Sequence, residues 1–207
     1  MLFFYGSNED ALIEQNRLVW LSSLGVNAVC FDYRGYGFSD GQIGAAAIRD
    51  DALRMFDAVK ATVAPAGSSV MVYGWSVGTQ LALHVAANRP VSGVILQAPP
   101  ASADATDKAS RTADVPSIVR WAVALKSDAD VRSIYQGAVE AKAVSAPLLI
   151  IEGKRDTTVP PAQAQAVFDA SPSTEKRIVF VDGADHNTLK FREPPASSEV
   201  VAFLAGK

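Results

Sequence analysis

The chain has 207 residues, the size of one compact domain, and 49% of them are hydrophobic, enough for a layered core. Its formal net charge of -3 argues against binding to a nucleic acid or to an anionic membrane. One cysteine and two histidines cannot form an internal disulfide or a recognisable metal centre, so we predict no metal and no cofactor. No apolar run reaches the ~20 residues of a membrane span, and the N-terminus lacks a signal peptide's basic region, so we expect a cytoplasmic protein.

Short apolar runs alternate along the chain with longer segments of helical periodicity. The predicted strands are Leu2–Tyr5, Asn27–Phe31, Ser69–Tyr73, Val91–Gln97, Leu148–Glu152 and Lys176–Val181. The predicted helices are Asp10–Leu24, Ala45–Val63, Val77–Asn88, Pro161–Asp169 and Ser197–Leu204. This alternation predicts an α/β fold, in which a mostly parallel sheet is covered by helices on both faces. Cys30, within the second strand, is expected to be a packed and inert thiol.

The alternation of predicted strands and helices is interrupted between residues 98 and 145. This stretch is rich in Ala, Ser and Asp and has one amphipathic segment around Trp121. We interpret residues 98–145 as a lid inserted into a single domain that spans residues 1–207. The chemistry is then expected in the loops at the carboxyl ends of the strands, where open α/β sheets usually bind ligands.

The sequence Gly74-Trp-Ser-Val-Gly78 lies between a predicted strand and a predicted helix. A direct turn from strand to helix forces Ser76 into a strained conformation at an exposed corner, and the flanking glycines leave room for that turn. The first amides of the helix would point to the position of an oxyanion. A chance match of the short pattern is the alternative, but it does not explain the elements on either side. Ser76 is therefore the predicted nucleophile.

A serine hydroxyl needs a general base, and the chain contains two histidines, His84 and His186. His186 follows the strand Lys176–Val181 in a polar loop, at the same edge of the predicted sheet as Ser76. His84 lies about two helical turns, or ~12 Å, beyond Ser76. We therefore predict His186 as the general base and His84 as a packing or surface histidine.

Asp156 follows the strand Leu148–Glu152 and is the predicted acid that orients the base. Asp182 and Asp185 compete for this role, but residues so close in sequence to a histidine seldom reach the far side of its ring. Glu152 competes as well, although it is still within the strand. A solvated loop position for Asp156 stays open as the alternative.

Four motifs in this order resemble the BEM46-like, or ABHD-type, group of serine hydrolases with the α/β-hydrolase fold. They are the loop Phe31–Gly41, the elbow Gly74–Thr79, the acid loop Pro147–Pro160 and the histidine loop Gly183–Asn187. The resemblance implies a triad in the chain order Ser, Asp, His, which supports Asp156. In the first of these loops, Asp32 and Arg34 are expected to form a structural ion pair.

The resemblance also implies an oxyanion hole built from backbone N–H groups. The family has a His-Gly-x loop after the first strand predicted here, and Tyr5-Gly6-Ser7 aligns with it. Ser7 and Val77 are then the expected N–H donors, and the tyrosine in place of histidine departs from the family pattern. Tyr5, Trp75 and Trp121 are the candidate substrate-binding side chains.

A second departure lies at the N-terminus. Family members carry a further pair of strands before the first one predicted here, so we expect the N-terminal strands to be missing. A bare strand edge at Leu2–Tyr5 would then invite pairing with another copy, and a homodimer is expected through it.

Together, these motifs predict a serine hydrolase that cleaves a carboxylic ester or thioester of a small or acyl-chain substrate through an acyl-enzyme. Two alternatives stay open. A non-catalytic binding protein of the same fold is favoured by Tyr5 and the missing strands. A serine peptidase is suggested by Gly-Trp-Ser, which oligopeptidases also contain.

Overall fold

The computed structural model describes residues 1–7, 9–112 and 129–206. Its strands are β1 (Leu2–Phe4), β2 (Val29–Cys30), β3 (Val72–Trp75), β4 (Val94–Gln97), β5 (Leu148–Gly153) and β6 (Lys176–Val181). Its α-helices are α1 (Gln15–Ser23), α2 (Ala45–Ala58), α3 (Gly78–Asn88), α4 (Ala103–Thr112), α5 (Ala129–Ser133), α6 (Gly137–Glu140), α7 (Pro161–Ala170) and α8 (Ala196–Ala205). A π-helical turn at Val59–Val63 continues α2, and a 3₁₀ turn at Ala141–Ala143 continues α6.

The strands form one sheet in the order β2-β1-β3-β4-β5-β6, and every neighbouring pair is parallel. Parallel strands are buried on both faces, which accounts for the fully buried runs of β1, β3, β4 and β5. All six predicted strands and all five predicted helices are present, and their observed ends differ from the predicted ones by up to five residues. The predicted parallel sheet with helices is therefore confirmed.

The prediction of a bare strand edge at Leu2–Tyr5 is wrong. β1 pairs with β2 on one side and with β3 on the other, so both of its edges are already bonded. The edge strand on this side is β2, which the sequence places later in the chain. A homodimer stays a prediction, and it would have to use another surface.

Cys30 lies on this edge strand and is partly buried. Burial raises the pKa of its thiol to about 12, so the thiol is neutral at pH 7. This placement agrees with the expected packed and inert cysteine.

The expected ion pair between Asp32 and Arg34 is not formed. Arg34 instead binds Asp51 of α2 with two hydrogen bonds of 2.5 and 2.7 Å. Asp32 accepts hydrogen bonds from the backbone amides of Ala11 (2.7 Å) and Phe38 (3.0 Å), which fixes the loop after β2. Two backbone amides therefore bind Asp32 in place of the predicted Arg34.

The described part of residues 98–145 contains α4, α5 and α6, while residues 113–128, including Trp121, lie outside the described residues. α5 is bound to the body of the domain at the start of α2, where the amide of Ala45 donates to Asp130 at 2.8 Å. The role of residues 98–145 as a lid stays a prediction. No helix within the described ranges is long and apolar enough to cross a membrane.

Gly78 allows α3 to pack directly on the end of β1. A Cβ at this position would lie 2.2 Å from the carbonyl oxygen of Phe4 and 2.4 Å from that of Tyr5. Gly74 has a similar role, because its Cβ would lie 2.5 Å from Cα of Thr79. All three distances are too short for a Cβ atom, so glycine at these two positions allows the helix to lie this close to the sheet.

We expect Gly78→Ala to lower the free energy of unfolding by about 3 kcal/mol, since backbone atoms rather than a flexible side chain must move to make room. Urea denaturation measures the loss. Gly206→Ala is the matched control, because its Cβ would approach nothing closer than 3.8 Å, and we expect a change within about 0.5 kcal/mol. Equal losses in the two variants would contradict the close contact.

Candidate active site

Ser76 occupies the corner between β3 and α3. Its φ of 51° lies in the left-handed region, which a residue other than glycine seldom adopts without support. The amide of Ser76 donates to the carbonyl oxygen of Gln97 on β4 at 2.9 Å, and the hydroxyl of Thr79 donates to the carbonyl oxygen of Ser76 at 2.6 Å. Neighbouring elements thus hold the strained residue in place, as the elbow motif requires.

The structure brings Ser76, His186 and Asp156 into one hydrogen-bonded chain. The distance from Ser76 Oγ to His186 Nε2 is 3.0 Å, and the distance from His186 Nδ1 to Asp156 Oδ2 is 2.6 Å. An ionised carboxylate can only accept, so Nδ1 of His186 is the donor and Nε2 is free to accept the serine proton. This is the arrangement in which an imidazole can activate a hydroxyl.

Asp156 is held firmly behind the imidazole. Its side chain is fully buried, and its second oxygen, Oδ1, accepts the backbone amides of Thr158 at 2.9 Å and Val159 at 2.7 Å. Because both oxygens are engaged, the carboxylate cannot rotate without losing several hydrogen bonds. This location excludes the solvated position that the sequence left open.

Two of the competing carboxylates, Asp182 and Asp185, lie elsewhere. Asp182 pairs with Lys154 at 2.7 Å, and Asp185 accepts the amides of Asn187 and Thr188 at 2.9 Å each. His84 is out of reach of the elbow, as expected, and its Nδ1 lies 3.1 Å from Oε1 of Glu140, in contact with Arg49 as well.

The predicted oxyanion donors Ser7 and Val77 line the same cavity. It has a volume of about 150 Å³, and its remaining described lining is mostly apolar. The side chain of Tyr5, in contrast, is fully buried. Its hydroxyl accepts the amide of Tyr33 at 2.9 Å, and the two rings lie 4.1 Å apart. Tyr5 therefore supports the loop from within the core instead of presenting a surface to a substrate.

Trp75 and Glu9 connect the oxyanion loop to the histidine. The indole of Trp75 stacks on the imidazole of His186, with ring centres 4.7 Å apart, and its N–H donates to Glu9 Oε1 at 3.1 Å. The other oxygen of Glu9 accepts the amide of Gly6 at 2.7 Å. Burial raises the pKa of the Glu9 carboxyl, and the negative charge of Glu14 adds to this effect. Glu9 was not among the predicted site residues.

A larger cavity lies at the opposite end of the sheet. Its volume is about 530 Å³, and its lining includes Met1, Val70, Met71 and Ser92, which precede or begin strands. None of the three candidate catalytic residues lines it. Cavity volume alone would therefore point away from the candidate active site.

The sequence pattern of one protein family, described as "Serine aminopeptidase, S33", matches residues 1–136 and 131–194. The match covers most of the chain. The chain belongs to this family. The solved esterase Pf2001 of Pyrococcus furiosus superimposes with a TM-score of 0.80 and 21% identity, over 99% of this chain and 80% of that one. This similarity confirms the α/β-hydrolase fold.

Two curated relatives belong to the ABHD group of α/β-hydrolases. Human protein ABHD12B is 28% identical over 91% of this chain and 56% of its own length. The zebrafish lysophosphatidylserine lipase ABHD12 is 26% identical over 75% of this chain and 42% of its own length. The chain thus spans about half the length of these two relatives. The resemblance to ABHD-type α/β-hydrolases is confirmed.

In this α/β-hydrolase, the buried cation Arg17 joins α1 to the sheet and to the histidine loop. Its guanidinium donates to Glu14 at 2.8 Å and to Gln97 Oε1 at 2.7 Å. Its carbon Cζ lies 3.9 Å from the ring centre of Phe191. The amide nitrogen of Gln97 in turn donates to the carbonyl oxygen of Leu189 at 2.7 Å. Arg17 was not predicted as important, because an arginine on a helix is usually exposed.

We expect Arg17→Ala to lower the free energy of unfolding by about 3–5 kcal/mol, because Glu14 is left buried without its cation. Urea denaturation at neutral pH checks this value. Arg192→Ala is the matched control, since Arg192 also contacts the Phe191 ring, at 5.6 Å, but is exposed. We expect the control to change stability by no more than about 0.5 kcal/mol. A similar loss in both variants would contradict a specific role for the buried arginine.

Proposed function

We propose that this protein is a serine hydrolase that cleaves carboxylic esters or thioesters through an acyl-enzyme. The observation that carries the proposal is the hydrogen-bonded chain from Ser76 through His186 to Asp156, with distances of 3.0 and 2.6 Å, at a strained corner between strand and helix. The fold and the esterase and lipase names of similar proteins support it.

In the proposed mechanism, Ser76 Oγ attacks the substrate carbonyl while Nε2 of His186 takes its proton. The backbone N–H groups of Ser7 and Val77 stabilise the negative oxygen of the tetrahedral intermediate. His186 then gives the proton to the leaving alcohol or thiol, and the acyl group stays on the serine. Water attacks this acyl-enzyme with the same base, and the free acid leaves. Asp156 holds the tautomer and stabilises the imidazolium at each stage.

The cavity beside Ser7 and Val77 is the proposed site of the acyl group. If the substrate's carbonyl oxygen binds between these two amides, the acyl chain attached to the carbonyl carbon extends into this cavity. Its volume of about 150 Å³ is close to that of a protein cavity known to hold benzene, so roughly six carbon atoms fit. The lining residues Ile48, Leu81 and Ile134 are apolar, which favours a hydrocarbon chain over a polar group.

Peptide cleavage is the second candidate, because the family pattern is described as a serine aminopeptidase. An aminopeptidase needs an acceptor for the substrate's ammonium group. Glu9 is the carboxylate beside the oxyanion loop, and both of its oxygens are already bonded, to Gly6 and to Trp75. Hydrolysis of an aminoacyl anilide tests this alternative directly.

The decisive experiment combines a fluorophosphonate probe with the hydrolysis of p-nitrophenyl esters of several chain lengths. We expect wild type to be labelled and active, and Ser76→Ala to be neither. Absence of both signals in wild type, or equal signals in the alanine variant, would refute the hydrolase proposal and favour a binding protein.

The two histidines provide a matched pair for the base. We expect His186→Ala to reduce kcat for ester hydrolysis by roughly 10⁴-fold, because the hydroxyl then has no proton acceptor. His84→Ala should keep most of its activity, since His84 contacts Arg49 and Glu140 away from the elbow. Steady-state kinetics with p-nitrophenyl butyrate compare them. Similar losses in both variants would contradict the assignment of His186.

Acyl-chain preference tests the cavity. We expect Ile134→Ala to raise the ratio of kcat/KM for p-nitrophenyl octanoate to that for the butyrate by about tenfold, because a longer cavity admits the extra methylenes. Val139→Ala is the control, since this exposed valine is not part of the cavity lining. An unchanged ratio for Ile134→Ala would place the acyl group elsewhere.

A further inference from the structure

Glu152 is a buried carboxyl group for which the proposed mechanism has no role. It is the fifth residue of β5, and none of its surface is exposed. Its oxygen Oε1 accepts the backbone amide of Gly153 at 2.8 Å. Its other oxygen, Oε2, is buried and has no hydrogen-bond donor among the described residues. Buried oxygens of an ionised carboxylate are rarely left in this state.

We propose that Glu152 is protonated in the working enzyme and donates a hydrogen bond to Asp156, so that the two carboxyl groups share one negative charge. Glu152 is then a positioning residue, which acts on the reaction through the acid behind His186. This inference rests on the proposed function, in which Asp156 orients the base.

The bonding of Asp156 leaves a place for this donor. Its two oxygens accept the amides of Thr158 and Val159 and the ring N–H of His186, which are three donors for about four lone-pair positions. Protonation turns Glu152 from an acceptor into a donor and gives the unpaired Oε2 a partner. Glu152 and Asp156 are both buried, and the negative charge of Asp156 acts on Glu152. Two ionised carboxylates near each other and out of water are strongly unfavourable, so in this proposal one of the pair holds a proton.

Within the described ranges, the elements around Glu152 bring no lysine or arginine to it. On β6 its register partner is Phe180, and the buried faces of α7 and α8 carry no charged residue. The loop after β6 brings His186, which is bonded to Asp156, and Asp185, which is bonded to the amides of Asn187 and Thr188.

Burial, and to a smaller extent the charge of Asp156, raise the pKa of Glu152 from 4.5 to about 9. The unfolded chain releases this proton above about pH 4.5, whereas the folded chain keeps it up to about pH 9. The unfolded state therefore binds fewer protons in this window, and the folded protein loses stability as the pH rises through it. A side chain at position 152 that is neutral at every pH does not cause this loss of stability.

Glu152→Gln makes the test, because a glutamine has the shape of a protonated glutamate. Its carbonyl oxygen can accept the amide of Gly153, and its NH₂ group can donate to Asp156. We expect the urea midpoint of this variant at pH 8 to exceed that of wild type by about 1 M or more, and the difference to vanish towards pH 4.5. Asp169→Asn, which neutralises an exposed carboxylate on α7, should show no such difference.

The second measurement is the pH dependence of kcat/KM for an ethyl ester. Hydrolysis is monitored by titrating the acid that is released. We expect wild type to lose activity above about pH 9 and to retain about a tenth of it at pH 10, as a second negative charge forms beside Asp156. Glu152→Gln should keep its activity at pH 10. A merely structural glutamate would not create this difference.

The two measurements separate the possible failures. A midpoint of Glu152→Gln at pH 8 that does not exceed wild type, or a variant that does not fold at pH 8, overturns the proposal without any need for turnover. The same loss of activity at alkaline pH in wild type and variant overturns it as well. If neither protein hydrolyses an ester, the proposed function fails, and the unfolding measurement still decides the state of Glu152.

Discussion

Glycine at position 78 lets the first turn of α3 lie against the carbonyl oxygens of Phe4 and Tyr5, at the end of β1. β1 and β3 are paired neighbours, so this contact brings the loop after β1 to the helix end where Ser76 and Val77 begin the turn. A backbone at φ 51° costs of order 1–3 kcal/mol and persists only where its surroundings hold it. The same close packing therefore supports both the strained Ser76, the proposed nucleophile, and the two proposed oxyanion donors.

The histidine loop comes from the far end of the chain, and three contacts fix it against this corner. Trp75 stacks on His186, and Gln97 donates to the carbonyl oxygen of Leu189. Gly153 allows a third contact, because a Cβ there would lie 2.6 Å from the carbonyl oxygen of Ala184. The imidazole is thus held by residues of β3, β4 and β5, while its own strand, β6, is at the edge of the sheet. A histidine in the loop after an edge strand can stay in position because residues of the central strands bind that loop.

Local patterns in the sequence predicted the strands, the helices and the position of Ser76, because a strand followed directly by a helix leaves little freedom at the corner. Asp156 and His186 follow from their positions after strands. The order of the strands in the sheet could not be predicted. Hydrophobic periodicity indicates that Leu2–Phe4 is buried, but its place between β2 and β3 is decided by long-range pairing. The contacts of Asp32 with Ala11, of Glu9 with Trp75 and of Arg17 with Gln97 were missed for the same reason, since each joins residues that are far apart in the sequence.

The proposed chemistry and the proposed selectivity belong to different parts of this hydrolase. The Ser76–His186–Asp156 chain comes from the strand ends, where hydrogen bonds to the backbone hold Ser76 and Asp156. The proposed acyl cavity is closed on one side by Val131, Ile134 and Tyr135, which lie in α5 and directly after it. A hydrogen bond from Ala45 to Asp130 connects the start of this wall to α2. Substitutions there can change the space for a substrate without disturbing the corner, which is how one fold serves many esters.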